Sequence, residues 1–159
     1  MTFNIRALRE ADRERVAHFL ETHWGSSRIV TRGRIHHADE LLGFLAEVEG
    51  ELVGLLTYQI ERNACEIVSL NSTMQGRGIG SALLSAVKES AVALGCKRLW
   101  LVTTNDNTPA IHYYQMRGFD LVAVHRNAIE RSRELKPEIP ACGLDGIPIK
   151  HEIELEILL

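Results

Sequence analysis

A mixed α/β domain built in layers is the fold that the sequence predicts, on three observations. Strand and helix patterns succeed one another in the order β-α-(α)-β-β-β-α-β-α-β-(α)-β. Residues 98–102 read as a short strand that is continuously apolar after Arg98, as expected in a sheet covered on both faces. Three glycines, Gly76, Gly78 and Gly80, separate a strand pattern from a strongly apolar helix pattern. The 159 residues fit one domain, expected to span 1–159.

Taken in order, residues 3–8 alternate weakly and read as a first strand. Residues 9–21 place Ala11, Val16, Phe19 and Leu20 among charges, the pattern of an amphipathic helix. Residues 22–43 are mixed and read as a loop with a short helix. Residues 44–48 and 52–60 flank the turn Glu49-Gly50-Glu51 and form a hairpin. Residues 64–70 give another strand. Residues 80–94 are a helix rich in Ala, Leu and Val, stopped by Gly95. After the strand at 98–102 comes a helix over 107–117, with Pro109 in its first turn and Gly118 as its stop. Residues 119–125 read as a strand, 127–136 as a helix ended by Pro137, and 138–150 as a loop. Residues 151–157 alternate, with Ile153, Leu155 and Ile157 on one side and Glu152, Glu154 and Glu156 on a solvated side.

Composition narrows the function classes. The net charge of -3 leaves no footprint for nucleic acid, and no basic run suggests a membrane surface. No stretch approaches the length of a membrane span. Residues 1–16 carry charges throughout, so no secretory leader is expected there. Cys65, Cys96 and Cys142 are an odd set with no paired spacing, which fits buried, reduced thiols in a cytoplasmic protein. His36, His37, His112 and His151 share no ligand spacing, so no metal is expected.

The stretch Gln75-Gly76-Arg77-Gly78-Ile79-Gly80 carries the chemistry. Glycine inside a helix costs roughly 1 kcal/mol relative to alanine. Three glycines here therefore call for a reason. Without Cβ atoms, backbone amides approach a ligand closely, and the following helix adds positive potential at its start. The pattern suits a phosphate or pyrophosphate. A P-loop would need Gly-Lys-Ser/Thr, which is absent, and a Gly-x-Gly-x-x-Gly fingerprint fails at Ser81 or Leu83. A glycine-rich turn with no ligand stays open as the alternative.

The same stretch resembles the coenzyme A loop of the Gcn5-related N-acetyltransferase (GNAT) superfamily, Gln/Arg-x-x-Gly-x-Gly/Ala, with Gln75, Gly78 and Gly80 in place. Residues 107–119, Asn107 through Ala110, Tyr113-Tyr114 and Gly118-Phe119, resemble its second signature. Together the motifs extend the resemblance over residues 3–125 and again at the closing strand. It implies a single domain with a mixed, mostly antiparallel sheet flanked by helices on both faces. It also implies an acetyl-CoA-dependent N-acetyltransferase, in which a primary amine attacks the thioester directly in a ternary complex. The alternative is a non-catalytic acyl-CoA sensor on the same fold.

Residue roles follow from the resemblance. Tyr114 would give a proton to the departing coenzyme A sulfur, with core packing as its competing role. Tyr113 would pack in the core. Gln75, Gly76, Arg77, Gly78, Ile79, Gly80 and Ser81 would cradle the pyrophosphate. Asn107 would bond the coenzyme A arm, cap its helix, or both. Leu70, beside Asn71, would present a backbone amide to the thioester carbonyl. Glu66 would take the amine proton through water, with a solvated or paired strand glutamate as the alternative. Asn105 and Asp106 read as turn residues. Trp24 falls on the rim of the acceptor pocket or in the core. The acceptor is a small-molecule or peptide amine, acetyl-CoA is the donor, and a homodimer is plausible from symmetry alone. The connection 126–150 exceeds the family's usual one and is expected to shape the acceptor site or a dimer contact.

Overall fold

A computed structural model describes residues 2–159. The strands are β1 (Asn4–Ala7), β2 (Arg28–Thr31), β3 (Arg34–His37), β4 (Leu42–Val48), β5 (Glu51–Glu61), β6 (Ala64–Ser72), β7 (Arg98–Thr104), β8 (Asp120–His125) and β9 (Glu152–Leu158). The helices are α1 (Arg13–Trp24), α2 (Ile79–Ala93), α3 (Thr108–Met116) and α4 (Ala128–Leu135). Seven strands hydrogen-bond in the order β1-β4-β5-β6-β7-β9-β8, and β2 and β3 form a separate ribbon. The mixed, mostly antiparallel α/β fold expected from the sequence is the fold observed. No helix among the described residues is long and apolar enough to cross a membrane.

The chain divides into two compact units, one of Met1–Ile29, His37–Leu99 and Leu159, the other of Val30–His36 and Trp100–Leu158. In the first, β4, β5 and β6 make an antiparallel meander, with β1 on the outer edge of β4. The amphipathic stripe of α1 buries Val16, Phe19 and Leu20 with Ile29, Ala38, Leu55 and Val68. Each of the Val, Phe, Leu and Ile side chains, fully buried, contributes about 1.5–3 kcal/mol. Helix α2 buries Ile79, Leu83, Leu84, Val87 and Ala91. It ends in a Schellman motif: the Gly95 amide donates to Val92 O at 3.0 Å and the Cys96 amide to Ala91 O at 2.9 Å. That ending leaves Val92 and Leu94 exposed, although their apolar character suggests the buried face.

Two close contacts organise this unit. Arg6 of β1 forms a fork on Asp12, both bonds 2.8 Å, and its Nε donates to Glu47 Oε1 at 3.1 Å. Asp12 also accepts from the Arg9 amide at 2.8 Å, and Arg15 donates to Glu47. The network pins the start of α1 to β1 and β4. The Arg6 guanidinium holds the buried Asp12 carboxyl well below the usual carboxylate range. The second contact is at Gly54. A Cβ there would lie 2.6 Å from Ile79 Cγ2 and 3.3 Å from Ala46 Cβ and Leu83 Cδ1. Helix α2 therefore begins directly on the bare backbone of β5.

In the second unit β8 pairs antiparallel with β9. Leu101, Leu155, Phe119, Ile129, Ile149 and Tyr114 are among its buried apolar side chains. Glu152, expected on a solvated face, is only 3% exposed. Its carboxylate accepts from the Arg32 amide and guanidinium, each at 3.1 Å. Residues 22–43 are also corrected: the expected loop and short helix are the β2–β3 ribbon followed by a 3-10 turn, Ala38–Glu40. The reason is the same carboxylate. The turn Arg32-Gly33 has φ of 49° and 71°, a left-handed pair that Arg does not advertise in sequence and that Glu152 holds from β9. Cys65 and Cys96 are buried as expected, whereas Cys142 is exposed.

Replacing Asp12 by Asn should destabilise the fold by roughly 2 kcal/mol, the weight of a charge-assisted fork. Because the folded carboxyl titrates below its unfolded counterpart, this stability is present above the unfolded pKa and is lost on acidification. Urea melts of the two proteins should converge between roughly pH 5 and pH 2; a constant gap would contradict the assignment. Gly54→Ala should cost roughly 1–3 kcal/mol by overpacking against Ile79. An unchanged melt would mean that α2 is not seated on Gly54.

Candidate active site

The glycine loop emerges where β6 ends. Within β6, Val68 is an extra residue, since Thr57 pairs with Ser69 and Tyr58 with Ile67. The bulge is stitched by the buried hydroxyls of Thr57 and Ser69, 2.6 Å apart. It bends the strand immediately before Leu70 and Asn71, which are half-buried. No sequence motif announces this bulge. The indole N–H of Trp24 donates to Asn71 Oδ1. Trp24 is 40% exposed, so the core alternative for it is excluded. Glu66, in register with Gln59 of β5, is 6% exposed, so its carboxylate is not a solvated one.

After β6 the chain turns tightly. The Ser72 hydroxyl donates to Met74 O at 3.0 Å and accepts from the Met74 amide at 3.2 Å. The Thr73 amide reaches Val53 O at 2.8 Å. Gln75 donates from Nε2 to Ser72 O at 3.3 Å, so it braces the loop. Gly76 and Gly78 have φ of 72° and 78°, and a Cβ on either would meet nothing within 4 Å. Backbone angle selects glycine here, and both residues face open space. Arg77 and Ser81 are exposed, Gly80 is half-buried and Ile79 is buried. Gly78 is the N-cap of α2, no side chain caps it, and the first turn holds no acidic residue. A 15-residue helix thus begins beside an open loop with no side-chain cap from its N-cap residue. Its positive end suits an anion.

The second signature is read in α3. Asn107 is the N-cap: its Oδ1 accepts from the Ala110 amide at 3.3 Å. The capping role is therefore present, and the Nδ2 donor is not consumed by it. Tyr114 is 8% exposed, and burial raises its hydroxyl well above the ordinary phenol range. The end of α3 explains the Gly118-Phe119 pair. Gly118, at φ 90°, donates to Gln115 O at 3.0 Å, and the Phe119 amide donates to Tyr114 O at 3.1 Å. This Schellman motif brings the Phe119 ring edge-on to Tyr114, centroids 5.4 Å apart. Tyr113 meets Tyr114 from another side at 5.3 Å and 87°. Tyr113, expected in the core, is half-buried beneath the Arg117 guanidinium, 3.4 Å from its ring centre. Its own fixed position completes a cage around Tyr114.

The candidate residues thus lie on two continuous segments. Glu66, Leu70, Gln75, Gly76, Arg77, Gly78, Ile79, Gly80 and Ser81 follow one another through β6, the loop and α2 in the first unit, and Asn107 and Tyr114 share α3 in the second. Asn71 and Trp24 join the first group through their hydrogen bond.

Known proteins resemble this chain in sequence or in fold. The uncharacterized protein YdhI of Bacillus subtilis (strain 168) is 47% identical over 136 residues, 85% of each chain. YxbD of the same organism, also uncharacterized, is 40% identical over 153 residues, 96% of each. The crystal structure of a GNAT family acetyltransferase from Elizabethkingia anophelis, with acetyl-CoA bound, aligns at a TM-score of 0.69 and 20% identity, covering 99% of this chain and 98% of its own. The Acetyltransferase (GNAT) family model matches residues 5–119, which include the bulged strand, the glycine loop and the whole of α3. The chain belongs to the acetyltransferase (GNAT) family.

Proposed function

We propose that the chain moves an acetyl group from acetyl-CoA to a primary amine by direct attack. The observation that carries this reading is the uncapped start of α2 behind two left-handed glycines. The acetyl-CoA bound to the Elizabethkingia relative supports the choice of ligand. Backbone amides of Gly76, Arg77, Gly78, Ile79, Gly80 and Ser81 hold the pyrophosphate, and Gln75 keeps their loop in shape. Asn107 caps α3 through Oδ1 and offers Nδ2 to the coenzyme A arm. The bulge at Val68 turns the Leu70 amide toward the thioester carbonyl.

In the reaction the ammonium group first loses a proton, through water, to Glu66. The free amine then forms the new N–C bond, the C–S bond breaks, Tyr114 supplies a proton to the departing thiolate, and the proton shed by the new amide nitrogen returns the tyrosinate to a phenol through water. Burial keeps Tyr114 protonated at neutral pH, so it acts as a donor. The same burial makes it a weak acid against a thiol of pKa about 8.5, which limits its contribution. The exposed face of Trp24, tethered to Asn71, is the side chain we assign to the acceptor rim.

Calorimetric titration of acetyl-CoA should show micromolar binding by the wild type. Gly78→Ala and Gly78→Glu impose the same backbone strain at φ 78°, but only the second adds a negative charge. We expect Gly78→Glu to lose roughly 100-fold or more in affinity, the scale of a like-charge clash, and Gly78→Ala much less. No binding by folded wild type would remove the reading. Tyr114→Phe keeps its ring cage and should lower kcat by about 10²-fold, the low end of general acid catalysis, with acetyl-CoA KM nearly unchanged. An unaltered kcat would return Tyr114 to a packing role.

A further inference from the structure

Asn105 and Asp106 stand in the turn between β7 and α3, where they read as ordinary turn formers. Their side chains do more than turn the chain. Asn105 Oδ1 accepts from the Lys150 and His151 amides, both at 2.9 Å, and its Nδ2 donates to Pro148 O at 2.9 Å. Its own amide donates to His151 O at 3.0 Å. Asp106 is buried, with Oδ2 accepting from the Leu144 amide at 3.2 Å and Oδ1 from the Thr104 hydroxyl. Gly143 approaches so closely that a Cβ there would lie 1.9 Å from Asp106 Oδ2 and 2.6 Å from its Cγ. The fit is therefore made from both sides, by an amide that donates and by a glycine that leaves room.

The other end of the same segment is equally fixed. The Arg133 guanidinium on α4 donates to Ile139 O, Pro140 O and Ile149 O at 3.3, 2.7 and 2.9 Å. The Ile129 amide reaches Lys150 O at 3.1 Å. Residues 137–151 are thus a braced arch, with one foot on α4 and the other on the turn that starts α3. That turn sets the first residues of the helix. Thr104 O accepts from the Asn107 amide at 3.0 Å, Asp106 O from the Thr108 amide at 2.8 Å, and Asn107 then caps Ala110.

We infer that Asp106 is a positioning residue through which the arch fixes the first turn of α3, and with it Asn107 and Tyr114. The inference rests on the roles proposed above for those two side chains. It adds a positioning role to the expectation that segment 126–150 shapes the acceptor site or a dimer contact. A helix held at its start by Asp106 and at its end by the Gly118 motif has both termini defined, which is what a proton donor on its last turn requires. Misplacing such a group by about 1 Å can cost about 10²-fold in rate.

The test compares Asp106→Ala, Asp106→Asn and Gly143→Ala, each alone and with Tyr114→Phe, at a temperature where circular dichroism shows all of them folded. Asp106→Ala and Gly143→Ala should lower kcat roughly 10–100-fold, and Asp106→Asn, which keeps an acceptor for Leu144, should recover most of it. In the Tyr114→Phe background the further loss in kcat should nearly vanish, because that loss runs through Tyr114, while an effect through Asn107 falls on the acetyl-CoA KM. Losses that multiply with Tyr114→Phe would overturn the inference and leave the arch a stabilising element. Hydrogen exchange supplies an arm that needs no activity. In Asp106→Ala the amides of residues 110–114 should exchange at least tenfold faster while those of α2 do not change. Exchange that rises equally in both helices, or in neither, would overturn the inference even if the chain proved not to be a transferase. Local acceleration in a chain without transferase activity would uphold the arch and overturn only the functional reading.

Discussion

The seat of Ile79 on the bare backbone of Gly54 is the contact on which the glycine loop depends. A loop rich in glycine has no side chains with which to hold itself, and its conformational freedom is a cost that something else must offset. Here the residue that follows the loop is fully buried, against a strand that has given up its own side chain to receive it. The preceding residues are tied by Ser72, Thr73 and Gln75 to the end of β6 and to Val53. The loop is therefore fixed at both ends and open in the middle. That combination lets amides be presented to a ligand without being ordered at the moment of binding, which is the advantage of preorganisation.

Tyr114 is placed by the opposite means. Its helix has no long apolar face, being only 9 residues, with Tyr114 alone buried among them. Its geometry comes from its termini: Asn107 and the Asp106 turn at one end, Gly118 and Phe119 at the other. The Gly-Phe pair is then a local structural necessity of a helix whose last turn carries a buried aromatic ring, the proposed proton donor. The glycine supplies the left-handed angle, and the phenylalanine supplies the apolar contact that accompanies such a cap. A phenol kept protonated by burial is the result.

Much of this was legible in the sequence, and the pattern of success has a physical basis. The seven sheet strands, the four helices and both motifs follow from periodicity, glycine stops and Pro109, all of which act within a few residues. What the sequence hid acts over long separations. Arg32 takes a left-handed turn because Glu152, on the closing strand, accepts both its amide and its guanidinium. Glu152 itself looks like one of three solvated glutamates until that partner is seen. The bulge at Val68 needs the Thr57 and Ser69 hydroxyls opposite each other across two strands. Asp106 resembles any turn aspartate until Gly143 and Leu144 arrive from nearly forty positions along the chain. Periodicity carries no information about such meetings.

The same division separates the donor side of the proposed chemistry from the rest. The proposed pyrophosphate cradle is built from backbone, so its demands fall on glycines and on the helix start, and these are visible as a motif. Side chains that tie distant segments, such as Trp24 to Asn71, Arg32 to Glu152, and Asn105 and Asp106 to the arch, carry no motif because any compatible donor and acceptor would serve. A backbone cradle accepts one ligand chemistry and tolerates little change, whereas side-chain ties can be exchanged pair by pair while the fold persists. Acceptor choice in this chain should therefore be sought among those ties. Trp24 is the first place to look, because it exposes an apolar ring whose orientation is set by a hydrogen bond to the residue following Leu70.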